Sequence, residues 1–132
     1  MTQYTLTISD KQARILASAV ELYSRVGEGQ WDHLLSLDPL HLFPKYFDRD
    51  KVRAMLDEIT YMIYGKKSNC VTRDNDTPDE YEAAWDINQV IRHRLAWDEH
   101  PEGGHTVDFG EPMQTSKECE LAKIGRIEDV KL

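Results

Sequence analysis

Arg92 is the side chain with the most chemistry to account for. It follows Asn88 by four residues, on a predicted helix face that also carries Tyr81, Ala84, Ile87, Ile91 and Leu95. A guanidinium inside an apolar stripe needs a counter-charge, because an unpaired buried charge is strongly destabilising. Asp86, Glu21 and Asp57 are candidate partners for a structural ion pair, unless the stem lies along the apolar surface and the head reaches water. The functional reading is a pocket or subunit interface in which Arg92 and Asn88 hold a phosphate or carboxylate through paired hydrogen bonds. Arg94 and Arg73 would add positive charge there, and Trp85, Tyr81 or Trp97 would stack on a base. Aromatic residues at helical spacing also serve as ordinary core.

The histidines allow other chemistry. His93 and Asp86 lie seven residues apart on one helix face, a stretched general acid/base pair; the plainer role for His93 is packing near Trp97. His100, His105 and Asp108, with Asp98 or Glu99 nearby, are weak candidates for a metal site, since their spacing matches no zinc signature. No serine or cysteine stands beside a base at a recognisable spacing, and Gly103-Gly104 reads as a turn rather than a phosphate loop. No catalytic residue and no cofactor is therefore assigned, and a binding role is preferred to an enzymatic one, with a small metal- or His-dependent hydrolase as an outside alternative.

These residues need a scaffold, and the pattern predicts a mainly α fold. Ser9 and Gln12 form a capping box ahead of a helix over 10–26, with a stripe of Ala13, Leu16, Ala17, Val20 and Tyr23. Ile15, Ala19, Leu22 and Val26 widen that stripe, so this helix is central or packs on a second subunit. A short helix over 30–37 stops at Pro39, and an irregular connection over 41–47 follows. Asp48 caps a helix over 49–64 with a predicted buried stripe of Val52, Met55, Leu56, Ile59, Met62 and Ile63, and Gly65 ends it. Residues 66–76 read as a flexible polar loop. Thr77-Pro78-Asp79-Glu80 opens the helix that carries Arg92. Residues 4–8 and 105–109 alternate and are expected to pair as a minimal two-stranded β element. Residues 114–132 read as an irregular tail or oligomer arm, and the whole of 1–132 as a single domain.

Composition bounds the function. Against 16 Lys and Arg there are 24 Asp and Glu, a formal charge of −8. Broad binding to a nucleic-acid backbone needs a basic footprint, which this balance denies. A local Arg pocket for a small anion is not denied, nor is an acidic surface for a basic partner. No apolar run reaches the roughly 18 residues of a membrane span, and the N-terminus does not read as a secretory signal. Cys70 and Cys119 show no redox or metal spacing and are expected as free thiols in a cytoplasmic protein.

Two blocks, TLTISDKQARILASAVELYSRVGEGQWDHLL and YEAAWDINQVIRHRLAWDEHPEGGHTVDFGEPMQTS, resemble small proteins of tailed bacteriophages and prophages. The run IRHRLAWD followed by PEGG carries the resemblance most specifically. That family is functionally uncharacterised, so it transfers no site residues. It implies a host bacterial cytoplasm and an accessory role such as countering a host defence. The combined expectation is a homo-oligomeric viral binding protein that sequesters an anionic, nucleotide-like ligand around Arg92, Asn88 and Trp85, with Tyr81, His93, Arg94 and Trp97 nearby. The alternative is an acidic inhibitor of a host protein, mimicking nucleic-acid charge.

Overall fold

The computed structural model describes residues 2–36, 48–68 and 77–129. The stop at Pro39, the 41–47 connection, Arg73, Cys70 and most of the polar loop lie outside them. Three α-helices carry the described fold: α1 (Asp10–Gly27), α2 (Arg49–Tyr64) and α3 (Asp79–Glu99). Short 3₁₀ turns occupy Trp31–Ser36, Val107–Phe109 and Ile127–Asp129. No described helix is long and apolar enough to cross a membrane.

Local chemistry explains the helix ends. The Ser9 hydroxyl accepts from the Gln12 amide at 3.1 Å, and the Gln12 side chain accepts from the Ser9 amide at 2.9 Å, the reciprocal capping box the sequence predicts. The Asp48 carboxylate accepts from the Lys51 amide at 3.0 Å at the start of α2. At its end Gly65 takes a left-handed φ of 73° and donates its N–H to the Tyr61 carbonyl.

The expected β element is not formed: no strand occurs among the described residues. Residues 2–9 have no ladder partner, and only Ile8 of that segment packs on the core. Residues 107–109 coil instead, with Phe109 N–H donating to the Thr106 carbonyl at 3.2 Å and Gly110 N–H to the Val107 carbonyl at 3.1 Å. With Val107 left exposed, the alternation over 105–109 gives a strand no apolar face to bury.

The chain divides into two compact units, one of residues 1–21 and 82–132 and one of residues 22–81. In the first, Ala13, Ala17 and Ile91 form the buried centre, joined by Ile8, Leu16, Ile87, Leu95 and Ile124. The small residues on α1 let its backbone come close to α3, and the Asn88 side-chain amide donates to the Ala17 carbonyl at 2.9 Å. In the second unit the Ser24 hydroxyl donates to the Tyr81 carbonyl at 2.8 Å, and the Tyr23 and Tyr81 rings meet at 5.2 Å. A hydrogen bond from the Tyr23 phenol to Glu80 raises its pKa above the usual tyrosine value. Thr60 and Ser68 hydroxyls lie 3.2 Å apart, both fully buried, and Ser68 N–H donates to the Asp57 carboxylate, so the first residues of the polar loop are tied down.

The predicted buried stripe of α2 is largely a correction. Leu56 is buried as expected and Thr60 joins it, but Met55, Ile59, Met62 and Ile63 are exposed. Leu56 and Thr60 lie to one side of the apolar stripe, so α2 packs through its edge rather than its centre.

The Pro101–Gly104 turn is shaped by aromatic rings. Gly103 has φ of 89°, which excludes most side chains, and the Trp97 ring lies 3.2 Å from where a Cβ would sit. A Cβ on Gly104 would fall 2.8 Å from Phe109 Cζ and 2.9 Å from its Cδ2. Phe109 is held edge-on by Trp97 at 5.5 Å, and Trp97 Nε1 donates to the Phe109 carbonyl at 3.1 Å. The ring therefore has little freedom to retreat, and Gly104→Ala is expected to cost about 1–3 kcal/mol as an overpacked contact. Thermal melts check this against Gly125→Ala, where nothing lies within 4 Å and the midpoint should not fall.

Candidate functional site

The candidate site lies wholly in the first unit, as an open groove of about 530 Å³ along α1 and α3. Its chemistry comes from four helix positions and one turn. Arg14 and Glu21 project from α1, Asn88 and Arg92 from α3, and Asp108 from the turn at Val107–Phe109. Phe109, Glu99 and His100 complete the polar and aromatic rim.

Arg92 is paired, though with none of the acids considered from sequence. Its Nη2 lies 2.6 Å from the Asp108 carboxylate, in an ion pair with both side chains about one-third exposed. The guanidinium is thus neither buried alone nor free in water. It sits at the groove surface, where an anion from solution can compete for it. A second cation, Arg14, lies 3.6 Å from Glu99 across a more exposed pair. Two arginines and three carboxylates leave the groove slightly acidic, so a bare anion is less well matched than one joined to hydrogen-bond donors.

Asn88 is the least accessible of the lining residues, with 1% of its surface exposed. Its bond to the Ala17 carbonyl fixes which end of the amide is the donor. The opposite atom, Oδ1, finds no donor among the described residues. An orphaned acceptor of this kind costs about 1–3 kcal/mol.

The remaining predicted site residues are elsewhere. His93 Nδ1 lies 3.1 Å from the Asp108 backbone carbonyl, bracing the turn that carries the groove carboxylate. Arg94 pairs with Asp98 one turn along α3. Trp97 lines a separate, smaller cleft with His105, Gly103 and Gly104. Trp85 is half-buried on α3 and does not line the groove, and Tyr81 belongs to the second unit. His100, His105 and Asp108 do not converge: His100 lies 3.5 Å from Glu102, and Asp108 serves Arg92. No group of three His, Cys, Asp or Glu side chains placed to hold a metal occurs among the described residues. Cys119 is an exposed free thiol.

The acid/base pair of His93 with Asp86 is also corrected. Asp86 is 4% exposed, and its carboxylate is taken up by the tail. Both oxygens accept from the Thr115 amide at 3.0 Å, one accepts from the Thr115 hydroxyl at 2.6 Å, and the other from the Ser116 amide at 2.9 Å. Ser116 in turn accepts from the Cys119 amide at 2.9 Å. The segment read as an irregular tail or oligomer arm is thus pinned to α3 at Thr115 and Ser116.

No family model, curated protein or solved structure matches this chain.

A further anchor of the tail carries a pH prediction. Asp98 accepts from Arg94 and, at 3.1 Å, from Arg126. The hydrogen bond from Arg94, with the charges of both arginines, holds the Asp98 carboxyl below the usual carboxylate range, against an opposing desolvation effect. A carboxyl whose folded pKa is depressed stabilises the fold fully above its unfolded pKa of about 4, and loses that contribution as pH falls through the folded value. With partners this exposed, the network is worth under ~1 kcal/mol. Asp98→Asn should therefore lower stability slightly at pH 7, and its deficit should shrink below about pH 4. Urea melts of both proteins across pH 2–7 check the sign.

Proposed function

We propose that this chain is a non-enzymatic binding protein that captures a small anionic ligand of nucleotide-like chemistry in the groove of its first unit. The observation that carries the reading is the Arg92–Asp108 pair at 2.6 Å on the groove surface. Asp108 occupies the guanidinium as a ligand phosphate or carboxylate would, and the ligand binds by taking its place. The acceptors Glu21 and Glu99 favour a body bearing N–H donors, such as an amino-substituted base, over a bare anion. Phe109 offers the face or edge on which such a base packs. In the setting that the resemblance to small phage proteins implies, such a groove would sequester a host signal without turning it over.

Calorimetric titration of the full chain with a panel of nucleoside mono- and diphosphates, and with inorganic phosphate, tests the proposal. Saturable one-site binding by an amino-base nucleotide, tighter than inorganic phosphate, is the expected outcome. Absence of binding across the panel overturns the nucleotide-like assignment.

A further inference from the structure

Met55, Ile59, Met62 and Ile63 recur at spacings of four, three and one along α2, and all four are exposed, Met62 at 74%. At 100° per residue they form one contiguous stripe beside the buried edge of Leu56 and Thr60. From their fractional exposures the stripe presents on the order of 400 Å² of apolar surface, within the range of the largest, often functional, patches of soluble monomers.

We propose that this stripe is the interface between two copies of the chain, paired antiparallel through α2. Two observations select a second copy as the occupant. The first is area: a standard interface covers about 800 Å² per partner and is a little over half apolar, which is the amount this stripe supplies once its polar flank is included. The second is charge. Lys51 and Glu58 are exposed on the same flank of the stripe. A two-fold axis that sets Met55 of one copy on Ile59 of the other brings Met62 onto Val52. It also leaves Lys51 of one copy about 7.5 Å along the axis from Glu58 of the other, within the reach of two long side chains. The patch thus complements itself in both shape period and sign. The wide apolar coverage of α1, which suggested an oligomer from sequence, is not where this interface falls.

Sedimentation equilibrium of the full chain over a concentration series tests the interface. The native chain should be dimeric at about 100 µM and dissociate on dilution, as expected for a standard-size interface of moderate affinity. Met62→Glu should raise the dissociation constant at least tenfold. Its helical circular dichroism and melting midpoint at a concentration where both proteins are monomeric should be nearly unchanged, because Met62 is mostly exposed in a single copy. Glu58→Lys should weaken association at low salt, and adding Lys51→Glu should restore it. A native chain that stays monomeric at 100 µM, or a dimer indifferent to Met62→Glu, overturns the proposal. Neither result bears on ligand capture in the other unit.

Discussion

Asp86→Ala is expected to lower the stability of the chain by about 3–5 kcal/mol, the loss typical of removing one partner from a buried charged network. The magnitude follows from what is left behind. Two backbone N–H groups, of Thr115 and Ser116, and the Thr115 hydroxyl all point at a carboxylate that is 4% exposed. Each hydrogen bond to a charged group is worth about 1.5–3 kcal/mol, and donors buried without an acceptor add their own desolvation cost. Asp86→Asn keeps the volume but turns an NH₂ group toward those donors, so it should recover little. Thr115→Val removes only the hydroxyl and should cost about 1–2 kcal/mol. Denaturant melts measure the totals, and amide exchange at Thr115 and Ser116 locates them: both amides should lose protection in Asp86→Ala. If Asp86 instead served His93 as an acid/base partner, its removal would leave these amides protected and stability nearly unchanged. This result therefore separates a structural carboxylate from a catalytic one.

The contrast between Ser9 and Asp86 shows what the sequence makes legible. Ser9 and Gln12 are three residues apart, so their reciprocal capping follows from helix geometry alone, as do Asp48 and Gly65 at the ends of α2. Asp86 bonds to residues 29 and 30 positions away, and Arg92 to one 16 positions away; nothing in local spacing announces either pairing. The missed signal lay in α3 itself. Val90 and Asp86, on the side of the helix away from Ala84 and Ile91, are buried as well, so the helix is covered on more than one side. A helix without a clear polar face implies a second covering element, and here the tail at 115–116 supplies it. The β expectation failed for the opposite reason: alternation over a few residues is local, but a strand exists only through its partner. On α2 periodicity found the apolar stripe, yet periodicity reports only that a face avoids water, not whether the same chain covers it. At the groove, Arg92 and Asn88 are legible as polar residues in an apolar stripe and Glu21 as a candidate partner of Arg92, whereas nothing in the spacing singles out Arg14 on α1.

Arg92→Ala and Asp108→Asn should move ligand affinity in opposite directions. Arg92 contributes charge-assisted hydrogen bonds worth about 1.5–3 kcal/mol each. Its side chain is 38% exposed, which screens that interaction, so Arg92→Ala should weaken binding by about 30–100-fold, near 2–3 kcal/mol. Asp108 competes with the ligand for the same guanidinium and, once displaced, repels the incoming anion. Removing its charge in a side chain of equal size abolishes both effects, so Asp108→Asn should tighten binding roughly five- to tenfold, about 1–1.4 kcal/mol. The turn should survive the change, since His93 Nδ1 meets the Asp108 backbone carbonyl and not its carboxylate. The expected ordering by calorimetry is Asp108→Asn tightest, the native chain next and Arg92→Ala weakest, with the gap between native and Arg92→Ala narrowing as salt rises. If Asp108 is purely structural, Asn at 108 will loosen the turn and weaken binding with it, reversing the first step of that order. The sign of one substitution thus decides whether the 2.6 Å pair is a finished salt bridge or a binding site occupied by its own chain.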